Sequence, residues 1–161
     1  MSVQKPEIRI AVTGGRDFKD EKLVSFVFCN LELFYLKGKY EVTLIHGAAD
    51  GLDTLASKVA TRIGWTPKPY PITKEDWKTK GKKAGPERNA VMLTDSKPHI
   101  LLSFPGGRGT ANCIQTALDL KIPVVSFYNA PLLTLFGKID QAWGKITERI
   151  KDSKENSQKI S

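Results

Sequence analysis

The stretch Ile8-Arg-Ile-Ala-Val-Thr-Gly-Gly-Arg16 decides how the rest of the chain is read. Its apolar, β-branched run is too short for a helix and stops at paired glycines, so Ile8–Thr13 is predicted to be a buried strand ending in a tight turn. Beyond it, Leu23, Val24, Val27, Leu31, Phe34 and Tyr35 recur at helical spacing across Asp20–Lys37, with Gly38 as the stop. Val42–Ile45 repeats the strand pattern, and Leu52, Leu55, Val59 and Ile63 repeat the helical one up to Gly64. Strands alternating with helices place consecutive strands parallel.

Downstream, Thr66–Ile72 carries Pro67, Pro69 and Pro71, which cannot donate to a ladder, so a third strand there belongs at a sheet edge. Lys74–Gly85 reads as a basic loop, with Pro86 at the start of a helix running to Thr94. His99–Phe104 reads as strand four, Thr110–Leu120 as a helix and Pro123–Phe127 as strand five. The expectation is an α/β fold of about five parallel strands, ordered 3-2-1-4-5, with helices on both faces. Leu132, Leu135, Phe136, Ile139, Trp143, Ile146 and Ile150 add a C-terminal amphipathic helix, whose stripe would pack on the sheet or form a dimer seam.

At 161 residues and 40% hydrophobic content, the chain fits one domain over residues 1–150, followed by a polar tail, 151–161, expected to be disordered. No apolar run approaches the roughly 20 residues of a membrane helix, and the stretch to Ile10 has no apolar signal core, so a soluble, cytoplasmic protein is expected. Cys29 and Cys113 sit in apolar helical patterns and read as buried thiols, with no metal-ligand spacing around them. Lys and Arg outnumber Asp and Glu by 25 to 17, a net charge of +8, which favours an anionic ligand or partner.

Strand order 3-2-1-4-5 sets the ends of strands one and four side by side, where parallel sheets bind ligands. Two glycine-rich turns follow those strands: Gly14-Gly15-Arg16-Asp17 and Pro105-Gly106-Gly107-Arg108-Gly109-Thr110. Glycine admits a phosphate close to the backbone, a helix opening at Thr110 offers free N–H groups, and Arg16 and Arg108 add charged donors. Each turn alone could be a mere tight connection with a solvated arginine; the pair favours a phosphate cradle. Neither a Gly-x-Gly-x-x-Gly fingerprint nor a Gly-Lys-Ser/Thr loop is present, so ordinary dinucleotide and ATP-hydrolysing readings lack their motif, and no cofactor is expected.

His46-Gly47-Ala-Ala-Asp50-Gly-Leu-Asp53 ends strand two. Asp50 suits a helix cap and Asp53 a first helical turn; either carboxylate could instead bind ribose hydroxyls or act as acid or nucleophile. His46 is a candidate base. Trp77, amid the lysines of residues 74–83, suits either a lid that stacks on a base or a solvated loop with one aromatic anchor. Arg88 and Asn89 in Gly85-Pro-Glu-Arg-Asn89 are polar where the loops converge.

Taken in order, Val12-Thr-Gly-Gly-Arg-Asp-Phe18, His46–Asp53, Trp77 with Gly85–Asn89, and Phe104–Thr110 resemble the YpsA-related branch of the SLOG superfamily. The similarity runs from about Ile8 to Phe127. It implies a Rossmann-like fold, homodimerisation and a nucleotide-derived ligand such as an ADP-ribose-like molecule, with its phosphate on Pro105–Thr110 and Arg88 near the ribose-phosphate. The related LOG phosphoribohydrolases carry a catalytic glutamate three residues beyond the Gly-Thr; here that position is Cys113, ordinarily neutral. A binder of a nucleotide signal is therefore the first expectation, and an N-glycosidic hydrolase using Asp50 or Asp53 the second. Single-stranded nucleic acid ranks third, because Trp77 stands alone among the lysines where strand binding uses several stacking platforms.

Overall fold

The computed structural model describes residues 4–160, with side chains to residue 156. Residues 1–3, part of the stretch read for a signal core, and Ser161 lie outside the described residues. Five parallel strands, β1 (Glu7–Thr13), β2 (Glu41–His46), β3 (Thr66–Pro69), β4 (Ile100–Ser103) and β5 (Val124–Ser126), form one sheet in the order β3-β2-β1-β4-β5. The proline-bearing β3 is an edge strand, as its missing donors require.

Side chains alternate across the central strand. Ile8, Ile10 and Val12 enter the larger core, shared with α1 (Glu21–Leu31), α2 (Leu52–Arg62) and α6 (Leu132–Ile160). Ala11 enters the smaller one, with Ile45, Leu101 and residues of α4 (Ala84–Ser96) and α5 (Arg108–Asp119). The chain winds outward from β1 in one direction, then crosses to β4 and winds in the other, which lays the two helix sets on opposite faces.

Four local expectations are corrected. Residues 74–80 are not loop but a helix, α3 (Lys74–Lys80), joined to α4 by a 3₁₀ turn at Gly81–Lys83. Thr73 caps α3 by accepting the Asp76 N–H at 3.0 Å, Glu75 and Asp76 lie in its first turn and Lys78 and Lys80 in its last, all favourable to the helix dipole. Pro86 accordingly occupies the third position of α4, where its missing N–H is still an orphan. The first helix ends in a π-helical turn, Glu32–Leu36; the widened turn rotates Leu36 into the core and leaves Phe34 54% exposed. Cys113 is buried as expected, but Cys29 is exposed.

The C-terminal stripe packs on the sheet through Leu135, Ile139 and Ile146, with Trp143 and Ile150 against the same core. Leu132 and Phe136 stay largely exposed. Helix α6 also continues through the polar segment expected to be disordered, as far as Ile160. Its lysines and glutamates are good helix formers, and an already nucleated helix extends at little cost.

At the opposite end of the sheet from the glycine turns, His99 is 7% exposed and its Nδ1 accepts the Arg9 N–H at 2.9 Å. Burial first, then the charges of Arg9 and Arg149, lower its pKa to about 4. A depressed histidine stabilises the fold above its ordinary value and loses that contribution as pH falls toward the folded one. The urea midpoint should therefore drop between about pH 7 and about pH 4.5, and His99→Asn, which keeps an acceptor but does not titrate, should lessen the drop.

Candidate functional site

Three loops meet at Gly15, at the carboxyl end of the sheet. Its N–H donates to Pro105 O at 2.9 Å, and its carbonyl accepts the N–H groups of Leu52 at 3.1 Å and Phe18 at 3.2 Å. This ties the turn after β1 to those after β4 and β2. Such proximity excludes side chains: a Cβ on Gly106 would lie 2.1 Å from Thr110 Oγ1 and 2.7 Å from Gly15 N, and one on Gly51, whose φ is +76°, 2.3 Å from Gly15 O. Gly107 and Gly109, by contrast, face open space.

The joined turns wall a cleft of about 740 Å³. Gly14, Gly15, Arg16, Asp17, Gly47, Asp53, Arg88, Asn89 and the whole of Pro105–Thr110 line it. Helix α5 opens at Arg108 rather than at Thr110, so Arg108 and Gly109 belong to its first turn. Its N-cap, Gly107, has no side chain to cap it, which leaves first-turn N–H groups and the positive dipole end available at the cleft.

On another wall, Asp53 is 6% exposed. Its Oδ2 accepts the N–H groups of Gly47 at 3.1 Å and Ala49 at 3.2 Å, while Oδ1 is buried with no hydrogen-bond partner among the described residues. Burial raises the carboxyl pKa; the two N–H donors and the Arg88 charge oppose it. Arg88 reaches from α4 to the carbonyls of Gly47 and Tyr70 and donates from Nε to Asn89 Oδ1, and Asn89 in turn donates to Asn112 Oδ1 at 3.0 Å. Cys113 lies in this buried neighbourhood, and burial pushes its thiol up to about 11, so it is neutral.

Three expected residues fall outside the cleft lining. Asp50 is exposed and does not cap α2, whose N-cap is Gly51. His46 is buried; its Nδ1 accepts the Ala48 N–H at 3.0 Å, and burial, then the Arg88 charge, lowers its pKa, so it is a neutral brace for the loop. Trp77 lies 42% exposed on α3, with the Arg16 guanidinium 5.4 Å from its ring centre. It thus touches the site through Arg16. Reading the sequence missed Lys19, Asp20 and Asn129, which also line the cleft. The signal for Asn129 was its place just beyond the fifth strand, and for Asp20 its place as cap of α1, where it accepts the Leu23 N–H at 3.1 Å. Among the described residues, no group of three or more His, Cys, Asp and Glu could hold a metal ion, and no helix is long and apolar enough to cross a membrane.

A doubly wound parallel sheet with its two innermost turns walling one cleft places the molecule in the Rossmann-like α/β class. Within that class the chain belongs to the YspA, cpYpsA-related SLOG family, whose signature matches residues 8–72. It is 34% identical over 129 residues to the Gene 61 protein of Mycobacterium phage D29, spanning 76% of this chain and 98% of that protein. The fold resembles the molybdenum cofactor binding protein of the phototrophic bacterium Rippkaea orientalis, at a TM-score of 0.54 and 19% identity over 94% of this chain and 98% of that one. It also resembles TM1055, at a TM-score of 0.52 and 22% identity over 73% and 72% of the two chains.

The interlocked turns make the glycines unequal. Gly106→Ala should lower the unfolding free energy by about 1–3 kcal/mol through overpacking, while Gly107→Ala should change it little; denaturant titration of the two variants checks this.

Proposed function

We propose that this protein binds a nucleotide-derived small molecule, with a phosphate on the Pro105–Thr110 turn and a sugar hydroxyl on Asp53 Oδ1. One juxtaposition carries the reading: an uncapped helix N-terminus and Asp53, whose buried Oδ1 has no hydrogen-bond partner among the described residues, line the same cleft. The helix end attracts an anion, and the carboxylate oxygen requires a donor that the described residues do not supply. A sugar phosphate supplies both. Membership of the SLOG family and the likeness in fold to a cofactor-binding protein agree with a small-molecule ligand.

Binding without turnover is favoured by Cys113 at the position of the glutamate in the related hydrolases, since a neutral thiol stabilises no developing cation. One observation favours N-glycosidic hydrolysis as a second reading: burial raises the Asp53 carboxyl pKa, the direction that suits a general acid. Asp50 is exposed and outside the cleft lining. We further assign the expected homodimer to the exposed apolar residues of the first helical segment and α6, among them Leu33, Leu133 and Phe136, and a cytoplasmic setting to a chain with two free thiols.

Thermal-shift screening of nucleoside monophosphates, NAD, ADP-ribose and cyclic nucleotides, with mass spectrometry of each incubated ligand, separates the readings. A ligand recovered intact supports the binder; free base with sugar phosphate supports the hydrolase. Gly107→Asp should abolish the shift by placing a carboxylate in the phosphate seat without unfolding the protein, because its side chain enters open space. Asp53→Asn can still accept from Gly47 and Ala49 but should weaken binding by about tenfold or more, as expected for loss of a charge-assisted hydrogen bond. Absence of a shift with every ligand would overturn the assignment.

A further inference from the structure

Behind the Pro105–Gly107 turn lies a second hollow, of about 260 Å³. Ser103, Ser126, Ile114 and Tyr128 line it, together with the turn itself and Thr110. Pro105, Gly106, Gly107 and Thr110 therefore face both spaces, and the turn is a low crest between them. At that crest Gly107 has open space about it and the α5 N-terminus is uncapped. An anion seated there has room on either side.

A phosphate monoester bears one organic substituent, whereas a diester, or a pyrophosphate esterified on both phosphates, bears two that leave the tetrahedral centres in different directions. We propose that the ligand is two-ended, a phosphodiester or doubly esterified pyrophosphate bridging the crest, with a second, aromatic end such as a nucleobase in the smaller hollow. The inference rests on the phosphate seat proposed above and adds the ligand's other half.

The hollow suits that end. Tyr128 is an aromatic ring left 48% exposed, and the Lys138 ammonium stands 4.9 Å from its centre, adding positive charge beside the ring. The Ser103 and Ser126 hydroxyls share one hydrogen bond of 2.6 Å; a pair that shares one proton leaves the other O–H to donate to a ligand acceptor. Ser103 is 2% exposed and Ser126 exposed, so this polar edge runs from the buried end of β4 out to the surface. Ile114 contributes apolar contact for a ring. A flat heteroaromatic with edge acceptors matches an apolar wall, a stacking face and a hydroxyl pair.

The test compares two probes that differ only by a second nucleoside, ADP and diadenosine diphosphate, titrated calorimetrically into the full chain. Ser126→Trp fills the hollow and Tyr128→Ala removes its stacking face; both positions are exposed, and thermal melts check that each variant folds. Diadenosine diphosphate should bind wild type more tightly than ADP and lose about tenfold in affinity in either variant, with ADP changed by less than about twofold. Equal loss of both probes, or loss of neither, would overturn the two-ended ligand and leave the phosphate seat standing. Binding of neither probe to wild type would instead remove the seat, and this inference with it.

Discussion

The backbone approach at Gly15 is the constraint on which the site depends. Parallel strands bring the ends of β1, β2 and β4 near each other, but only the bonds from Gly15 to Pro105, Leu52 and Phe18 lock their turns into one wall. Those bonds require bare backbone at Gly51 and Gly106, where a methyl group would collide with neighbouring main chain or with Thr110, and leave only a tight 3.1 Å for one on Gly15. The glycines of the two turns thus divide the work. Some make the turns touch, while Gly107 and Gly109 keep the helix end accessible from the cleft.

Beneath that wall lies a cluster of polar groups in a low-dielectric interior, and the environment of each differs from its ordinary one. Desolvation raises the Asp53 carboxyl, lowers the His46 imidazole and lowers the Arg88 guanidinium, which still remains charged. The cluster has a structural task as well. Asp53, His46 and Arg88 between them bind the backbone of Gly47, Ala48 and Ala49, and Ala48 is held at a φ of +57°, a conformation an alanine adopts only when its surroundings impose it. Asp53 Oδ1 and His46 Nε2 are left without a partner among the described residues, and of the two residues Asp53 lines the cleft.

The chain's positive charge is organised on two scales. The net excess supplies long-range attraction for anions, while the cleft itself mixes Arg16, Arg88 and Arg108 with Asp17, Asp20 and Asp53. A ligand with both anionic and hydroxylic parts fits such a lining better than a uniform polyanion does. The lysines of α3 stand outside this lining, and Trp77 meets it only by way of Arg16.

Sheet order, strand positions and the two glycine-rich turns were legible in the sequence, because buried strands and helix faces obey short periodicities and such turns punctuate them. Local signals existed for α3 as well, in the Thr73–Asp76 cap and the Asp76–Lys80 spacing, but the density of lysines masked them. Other features have no local signal. Sequence spacing treats Asp50 and Asp53 as equals; only the packing of α2 on the sheet exposes one and buries the other, since burial depends on what the rest of the chain puts around a side chain. His46 likewise lies outside the cleft lining and braces its loop, while Arg88 both lines the cleft and holds the Gly47 carbonyl. The sequence by itself determined that the chain winds a parallel sheet and that glycine-rich turns end its two innermost strands; tertiary structure alone decided which carboxylate lines the cleft, because desolvation and backbone proximity arise between residues far apart in the chain.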